Sequence, residues 1–293
     1  MHKLFEPVKR SRHIRAFHTL VFMVAFAAAA PALADEVVTL QYERDAGGAV
    51  VSQSYILIHD GDPDIDLPSP VATVILFAGG SGRLRIADEE LAIDTANFLV
   101  RTRHHFAAQG RFNVAVIDAA SDFLDNAQFP RGLRGQRVSP QHLEDMRRVI
   151  ADLRTRFSGL PVWVIGTSRG SISAAHAAAQ LPAPVGPDGL VLTSSVTVPT
   201  PGQNSLDDVV LAGVQVPTLI VAHEKDACFV TPPGDSQDIA DGLVNAPRVK
   251  VRLFDGGFTA ISNACGALSE HGFFGIESRV VRRIGKWVLK QSD

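Results

Sequence analysis

The pentapeptide at residues 166–170 (GTSRG) contains Ser168, the residue whose type and setting best suit chemistry. Residues 161–165 (PVWVI) predict a short buried strand, and residues 171–180 (SISAAHAAAQ) predict a helix of small side chains. A Gly-x-Ser-x-Gly between a strand and a helix is typical of the nucleophile elbow, a turn that strains the serine backbone and exposes its hydroxyl. Both glycines are expected, because the returning helix leaves no room for a Cβ. The sequence therefore predicts a serine nucleophile.

A serine hydroxyl is a poor nucleophile near neutral pH, so it needs a nearby base and a third group that orients the base. The elements that must position these groups alternate along the chain. Strands are predicted at 36–43, 52–58, 71–77, 112–117, 161–165, 189–193, 216–222 and 247–253. The first two alternate in polarity, which favours an antiparallel hairpin at one sheet edge. The others are continuous β-branched runs, expected when both sheet faces are covered.

Helices connect most of these strands. They are predicted at 86–108, 139–157, 171–181, 235–243 and 277–290. Strands joined by helices predict an α/β fold with a doubly wound, mostly parallel eight-stranded sheet. Two longer connections, 119–138 and 194–213, follow strand ends where ligand crevices form, so they either shape a substrate pocket or are ordinary solvated loops.

From about residue 36 to its end, the chain resembles the α/β-hydrolase superfamily, and it is similar to the small-esterase and dienelactone-hydrolase-like members. The resemblance implies a nucleophile, an acid and a histidine in that chain order, after the fifth, seventh and eighth strands. Asp226 matches the acid, which stands shortly before a proline, and Glu224 is the alternative. His271 matches the base and is the one histidine between the eighth strand and the C-terminus.

The resemblance also implies two backbone donors for the oxyanion, the N–H groups of Gly80 and Arg169. Gly80 lies in the glycine-rich loop 78–82 (AGGSG), where Ala78 takes a place that is often histidine in the family. This loop lacks the Gly-Lys-Ser/Thr of a phosphate-binding P-loop. The side chain of Arg169 stands where small or apolar residues are frequent. It either attracts a carboxylate-bearing acyl group or extends to solvent.

Other histidines and the two cysteines have more than one interpretation. The histidines that fall in predicted helices are expected to be solvated or structural: His104, His105, His142 and His176. His223, beside the acid, is a candidate for lining the pocket. Cys228 and Cys265 are either two buried free thiols or one disulfide, which an oxidising compartment favours. A disulfide between them would tie the acid loop to the histidine loop.

The N-terminus predicts export. Residues 1–34 combine a basic start, an apolar run at 19–30 and an Ala-x-Ala site, which is typical of a cleaved signal peptide, with a membrane anchor as the alternative. Cleavage would leave one hydrolase domain at 35–293, with 23 Lys and Arg against 30 Asp and Glu. A mildly acidic surface without basic clusters argues against nucleic acid or an anionic membrane as partner. We expect a soluble protein of the bacterial periplasm.

Together these residues predict a serine hydrolase that cleaves carboxylic esters in two steps through an acyl-enzyme. The interval from Ser168 to Asp226 is too short for a large cap domain, which favours short acyl esters or lactones. No metal or cofactor is expected, because no His, Cys and Asp cluster has ligand spacing. An acyltransferase or a peptidase would use the same triad, and a non-catalytic binding protein of this fold is the alternative from another class.

Overall fold

Eight strands form one sheet, and every predicted strand is present. The computed structural model describes residues 34–44, 48–59, 69–86, 96–124 and 132–292. The strands are β1 (Ala34–Glu43), β2 (Val50–His59), β3 (Ala72–Phe77), β4 (Phe112–Ile117), β5 (Val162–Thr167), β6 (Gly189–Thr193), β7 (Thr218–His223) and β8 (Val249–Phe254). Their order in the sheet is β1-β2-β4-β3-β5-β6-β7-β8. The pairs β1–β2 and β2–β4 are antiparallel and the remaining pairs are parallel, which confirms the predicted edge hairpin and mostly parallel sheet.

Helices cover both faces of this sheet. They are α1 (Phe98–Arg101), α2 (Arg103–Gly110), α3 (Ser121–Leu124), α4 (Pro140–Arg156), α5 (Gly170–Gln180), α6 (Ser236–Gly242) and α7 (Glu277–Ser292). One apolar core packs α4, α5 and α6 against the sheet, and a second packs α1, α2 and α7 against the opposite face. Because both faces are covered, β3 to β7 are buried along their whole length and mostly apolar rather than alternating.

The predicted helix at 86–108 is wrong in its extent. Ile86, Ala96 and Asn97 are not helical, and residues 87–95 lie outside the described residues. The first described helix begins at Phe98, after the N-cap Asn97. The Thr102 hydroxyl donates to the carbonyl of Phe98 at 2.7 Å, and the chain divides there into α1 and α2. Such back-bonding by threonine competes with the helical ladder, and the apolar residues of the segment did not reveal it.

The connection between β6 and β7 is the usual place to look for an inserted cap. This stretch is described throughout and contains only two short 3₁₀ turns, Leu206–Asp208 and Leu211–Gly213, so no cap domain is inserted there. The predicted signal peptide at 1–34 lies, apart from Ala34, outside the described residues. Among the helices that are described, none is long and apolar enough to cross a membrane.

One side of the molecule is basic, contrary to the expected surface without basic clusters. β8 and α7 line a groove with a volume of about 650 Å³. Its cationic side chains are Arg248, Lys250, Arg283, Lys286 and Lys290. Like charges there lower the pKa of Lys250. The total charge could not reveal this groove, because its cations come from two segments that are adjacent only in the fold.

Candidate active site

Ser168 lies in the predicted elbow between β5 and α5. Its φ of 51° is left-handed, a strained conformation for a residue with a side chain. The Ser168 N–H donates to Thr193 O at 2.9 Å, which fixes the turn against the end of β6. A Cβ at Gly166 would collide with the backbone of Gly170, and one at Gly170 with the carbonyl of Phe77. Both glycines are therefore required by close approach, as predicted.

Asp226 and His271 meet although 45 residues separate them. The Nδ1 atom of His271 lies 2.9 Å from Asp226 Oδ2, and both side chains are nearly excluded from solvent. The Asp226 carboxylate also accepts the Cys228 N–H at 2.9 Å. Because Nδ1 faces the carboxylate, it carries the proton and Nε2 is free to accept one. The alternative acid, Glu224, is exposed.

Thr231 is a third member of this contact that the sequence analysis missed. Its hydroxyl donates to Asp226 Oδ2 at 3.0 Å and lies 3.1 Å from His271 Nδ1. The residue is buried, and it follows Asp226 by five positions on the loop after β7. A threonine shortly after the acid was the available signal, but threonines at loop positions are too common for this one to stand out.

The end of β6 holds the nucleophile and the histidine loop together. Thr193 accepts the Ser168 N–H, and the hydroxyl of the next residue, Ser194, donates to the carbonyl of His271 at 2.8 Å. Within the described residues, no hydrogen bond joins Ser168 Oγ to the imidazole. Catalytic hydrogen bonds are often long without substrate and tighten when it binds. The structure thus pairs Asp226 with His271, and the end of β6 contacts both the backbone of Ser168 and the backbone of His271.

The predicted oxyanion loop lies directly against the nucleophile. A Cβ at Gly79 would be 3.0 Å from the Cβ of Ser168, so the loop backbone passes as close to Ser168 as its glycine permits. Arg169, whose N–H is the second predicted donor, occupies the N-cap position of α5 with φ −60° and ψ −23°. Gly80 and Arg169 therefore belong to the two segments that flank Ser168.

A buried arginine supports the oxyanion loop, and the sequence analysis missed it too. Arg137 is 1% exposed and donates from Nη2 to the carbonyls of Ala78 and Gly80, at 3.1 and 3.2 Å. Its Nη1 donates to Ser173 Oγ on α5 at 2.8 Å. Arg137 thus joins the oxyanion loop to the helix that follows the nucleophile.

A disulfide joins Cys228 and Cys265, which are 37 residues apart. Cys228 lies two residues after Asp226, and Cys265 lies six residues before His271. The predicted link between the acid loop and the histidine loop is therefore present. The Cys228 sulfur also lies near Asp226 and His271, within 4.8 Å of their ligand atoms. As a disulfide sulfur it offers no thiolate, so this cluster lacks the ligand chemistry of a metal site.

Three further histidines that the structure describes are structural or partly exposed. His223 is buried. Its Nε2 donates to Gly256 O at 2.8 Å and its Nδ1 accepts the Lys225 N–H, so both ring nitrogens are hydrogen-bonded to the backbone. A role for His223 in lining the pocket does not fit this arrangement. His142 is buried against Ser173, and burial lowers its pKa well below 6.5. His104 is partly exposed on α2.

The two long connections meet beside Arg169. The Arg137 N–H, from the first connection, donates to Asn204 Oδ1 of the second at 3.0 Å. The Arg169 guanidinium contacts Asn204 O at 3.4 Å and Thr200 Oγ1 at 3.3 Å. Their described parts therefore contact each other and the side chain of the residue that follows Ser168.

Solved structures share this architecture. MGS-M1, an α/β hydrolase from a Medee basin deep-sea metagenome, gives a TM-score of 0.56 at 17% identity, covering 88% of this chain and 98% of that one. A carboxyl esterase from Bacillus coagulans, in complex with glycerol, gives 0.55 at 14% identity, covering 88% and 99%. A PEG-bound, cold-adapted esterase from an Arctic intertidal metagenomic library gives 0.55 at 14% identity, covering 89% and 97%.

Sequence comparison adds no closer relative. No protein-family profile matches the chain. No curated protein matches it either. At these identities the structural likeness defines the fold alone, and the chain has the α/β-hydrolase fold that the resemblance implied.

Proposed function

We propose that this chain is an exported serine hydrolase that cleaves carboxylic esters. The observation that carries the proposal is the buried hydrogen bond between Asp226 and His271, at 2.9 Å. The end of β6 links the backbone of His271 to an elbow serine, Ser168, with a φ of 51°. A strained serine backbone raises the free energy of the folded chain. Together with an oriented imidazole, such a serine serves nucleophilic catalysis. The esterases among the structural neighbours support the same class of reaction.

The proposed mechanism has two acyl-transfer steps. His271 Nε2 takes the proton of Ser168 as its oxygen attacks the ester carbonyl, and Asp226 stabilises the imidazolium that forms. The N–H groups of Gly80 and Arg169 donate to the oxyanion. The alcohol leaves with a proton from His271. Water activated by the same imidazole then releases the acid from Ser168.

The proposed substrates are small esters, short acyl esters or lactones. The connection between β6 and β7 contains only short 3₁₀ turns, so it supplies no deep tunnel for a long chain. One structural neighbour, a carboxyl esterase, is described in complex with glycerol, a small polar molecule.

A fluorophosphonate probe tests the proposal, because it reacts with an activated serine. We expect labelling of the wild-type chain, loss of labelling in Ser168→Ala, and unchanged labelling in Ser158→Ala, which alters an exposed serine. Fractionation of the expressing bacteria should find the labelled protein in the periplasm. Failure of the wild-type chain to label, or labelling that survives Ser168→Ala, would contradict the proposed hydrolase.

A further inference from the structure

Three arginines gather beside the nucleophile. Arg169 directly follows Ser168 and is half-buried, while Arg137 is buried and Arg134 is exposed on the connection that packs against it. Burial, then repulsion from Arg169 and Arg134, lowers the pKa of Arg137 to about 9. Burial and Arg134 also lower the pKa of Arg169. Arg137 and Arg169 also share a neighbour, because the Arg137 backbone N–H and the Arg169 guanidinium both donate to Asn204.

Within the described residues, neither Arg134, Arg137 nor Arg169 forms an ion pair, and the partners of the last two are neutral oxygens. Two other arginines, with side chains 13% and 15% exposed, are paired. Arg44 contacts Asp122 and Asp145, and Arg101 contacts Glu277. Burying a cation without a counter-ion is unfavourable. The loop contacts of Arg137 account for that residue, whereas the two long contacts of Arg169 do not account for its half-buried charge.

The guanidinium of Arg169 has unused capacity for hydrogen bonding. It makes two long contacts, 3.4 Å to Asn204 O and 3.3 Å to Thr200 Oγ1, although a guanidinium has five N–H donors. A carboxylate accepts two parallel N–H bonds from such a group, with shorter and stronger contacts than neutral oxygens make. The acyl part of a substrate stays attached to Ser168 through both steps, next to the residue that carries this side chain.

We propose that the substrates are anionic esters that carry a carboxylate in the acyl part, the half-esters of dicarboxylic acids. Arg169 binds the carboxylate, Arg134 attracts it at the entrance, and the fixed charge of Arg137 adds to the positive potential. This inference rests on the proposed function. It assigns the Arg169 side chain to recognition, whereas its backbone N–H serves the oxyanion.

Two substrates that differ by one charge test the inference. They are the p-nitrophenyl half-ester of adipic acid and its neutral methyl ester, with uncatalysed hydrolysis subtracted. We expect the wild-type kcat/KM to favour the anionic ester by about tenfold or more, as a charge-assisted bidentate contact would give. Raising NaCl from about 0.05 M to about 0.5 M should reduce that preference, because salt screens exposed charge.

Substitutions of single arginines test which side chain produces the preference for the anionic ester. Arg169→Met should remove most of the preference, a change of about tenfold, and Arg169→Lys should retain part of it because the charge remains. Arg134→Met should reduce the preference by about threefold, and Arg279→Met, an exposed arginine on α7, should leave it unchanged. Equal wild-type kcat/KM for the two esters, or a preference that survives Arg169→Met, would overturn the inference and leave the hydrolase proposal standing.

Binding to Ser168→Ala separates this inference from the reaction. By calorimetry, the half-ester should bind about tenfold more tightly than the methyl ester, and the difference should disappear in the Ser168→Ala/Arg169→Met double variant. Equal binding, or no binding of either ester, would count against the anion site. If the wild-type chain neither labels nor hydrolyses esters, this measurement still decides whether an anion site exists.

Discussion

At the scale of single residues, Thr231 explains how the His271 imidazole keeps one orientation. Its hydroxyl donates to the same Asp226 oxygen that faces His271 Nδ1, with distances of 3.0 Å and 2.9 Å. The imidazole N–H therefore lies between a carboxylate and a hydroxyl oxygen, both buried. A rotated ring would leave a buried donor without an acceptor, which is costly.

We expect Thr231→Val to lower kcat for ester hydrolysis by about 5- to 10-fold, which is the effect of one lost hydrogen bond on the activation barrier. The change in KM should be smaller. Valine keeps the shape of the side chain and removes only the hydroxyl. Steady-state kinetics on a short p-nitrophenyl ester measures the effect. Thr231→Ser is the matched control, since it restores the hydroxyl and should recover most of kcat. Equal rates for the valine and wild-type enzymes would exclude a role for this hydroxyl.

Arg137 acts on the oxyanion loop rather than on a substrate. Its contacts to Ala78 O, Gly80 O and Ser173 Oγ hold the loop backbone at a fixed distance from α5. Oxyanion donors work only when they are held in place before charge develops. Positioning of the loop therefore depends on a side chain 57 residues from Gly80 in sequence.

Arg137→Met should lower kcat by about 100-fold, close to the effect of losing an oxyanion donor, while KM changes little. Arg137→Lys should recover part of the loss, because an ammonium reaches fewer carbonyls than a guanidinium. Thermal unfolding checks that each variant folds, and Arg154→Met, on the outer surface of α4, serves as a control. A methionine variant that folds and retains full kcat would contradict this role.

At the scale of elements, the strands were predictable because β3 to β7 are buried on both faces and carry continuous apolar runs. The loop positions of Ser168, Asp226 and His271 followed from chain order. The helix break at Thr102 was not predictable from apolar periodicity, because it depends on one side-chain hydrogen bond. The contacts of Arg137 and Thr231 also escaped prediction, since they join segments that only the folded sheet brings together.

The disulfide joins two of these elements, the loop after β7 and the loop before α7. Reducing it frees a segment whose ends are 37 residues apart, which should lower the free energy of unfolding by about 4 kcal/mol if chain entropy dominates. Because Cys228 lies two residues from Asp226, we also expect a loss of kcat. Urea unfolding and steady-state kinetics of the Cys228→Ser/Cys265→Ser variant measure both effects.

Dithiothreitol provides the control for the disulfide. It should lower kcat and stability of the wild-type chain toward those of the double variant, and it should not change the variant. If the double variant and the reduced wild-type chain keep full kcat, the disulfide serves stability alone and does not hold Asp226 and His271 in register.

At the scale of the whole molecule, buried ionisable groups couple stability to pH. His142 lies between α4 and α5 with one hydrogen bond to Ser173, at 3.0 Å, and burial followed by repulsion from Arg137 lowers its pKa well below 6.5. On the same helix, burial raises the pKa of Asp145 from 3.8 to about 6. The folded chain thus resists protonation at His142 and favours it at Asp145.

The lowered pKa of His142 and the raised pKa of Asp145 change the free energy of unfolding in opposite directions as pH falls. As pH falls below 6.5, the unfolded chain protonates His142 and the folded chain does not, so stability is lost with acid by up to about 1.4 kcal/mol per pH unit. Between 6 and 3.8, Asp145 binds a proton first in the folded chain, so its contribution to stability rises as pH falls. The wild-type response between pH 6 and 4 is therefore a partial cancellation.

His142→Gln should remove the loss of stability in acid that His142 causes. The variant lacks the group that protonates only on unfolding, so its stability should fall less than the wild-type stability between pH 7 and pH 5, by about 2 kcal/mol at most. Asp145 is present in both proteins, so its contribution cancels when the change in the free energy of unfolding of the variant is compared with that of the wild type. Urea unfolding at both pH values measures it, and His104→Gln, on the surface of α2, should follow the wild-type chain. Parallel pH curves for His142→Gln and wild type would mean that the folded protein protonates His142 as easily as the unfolded chain does.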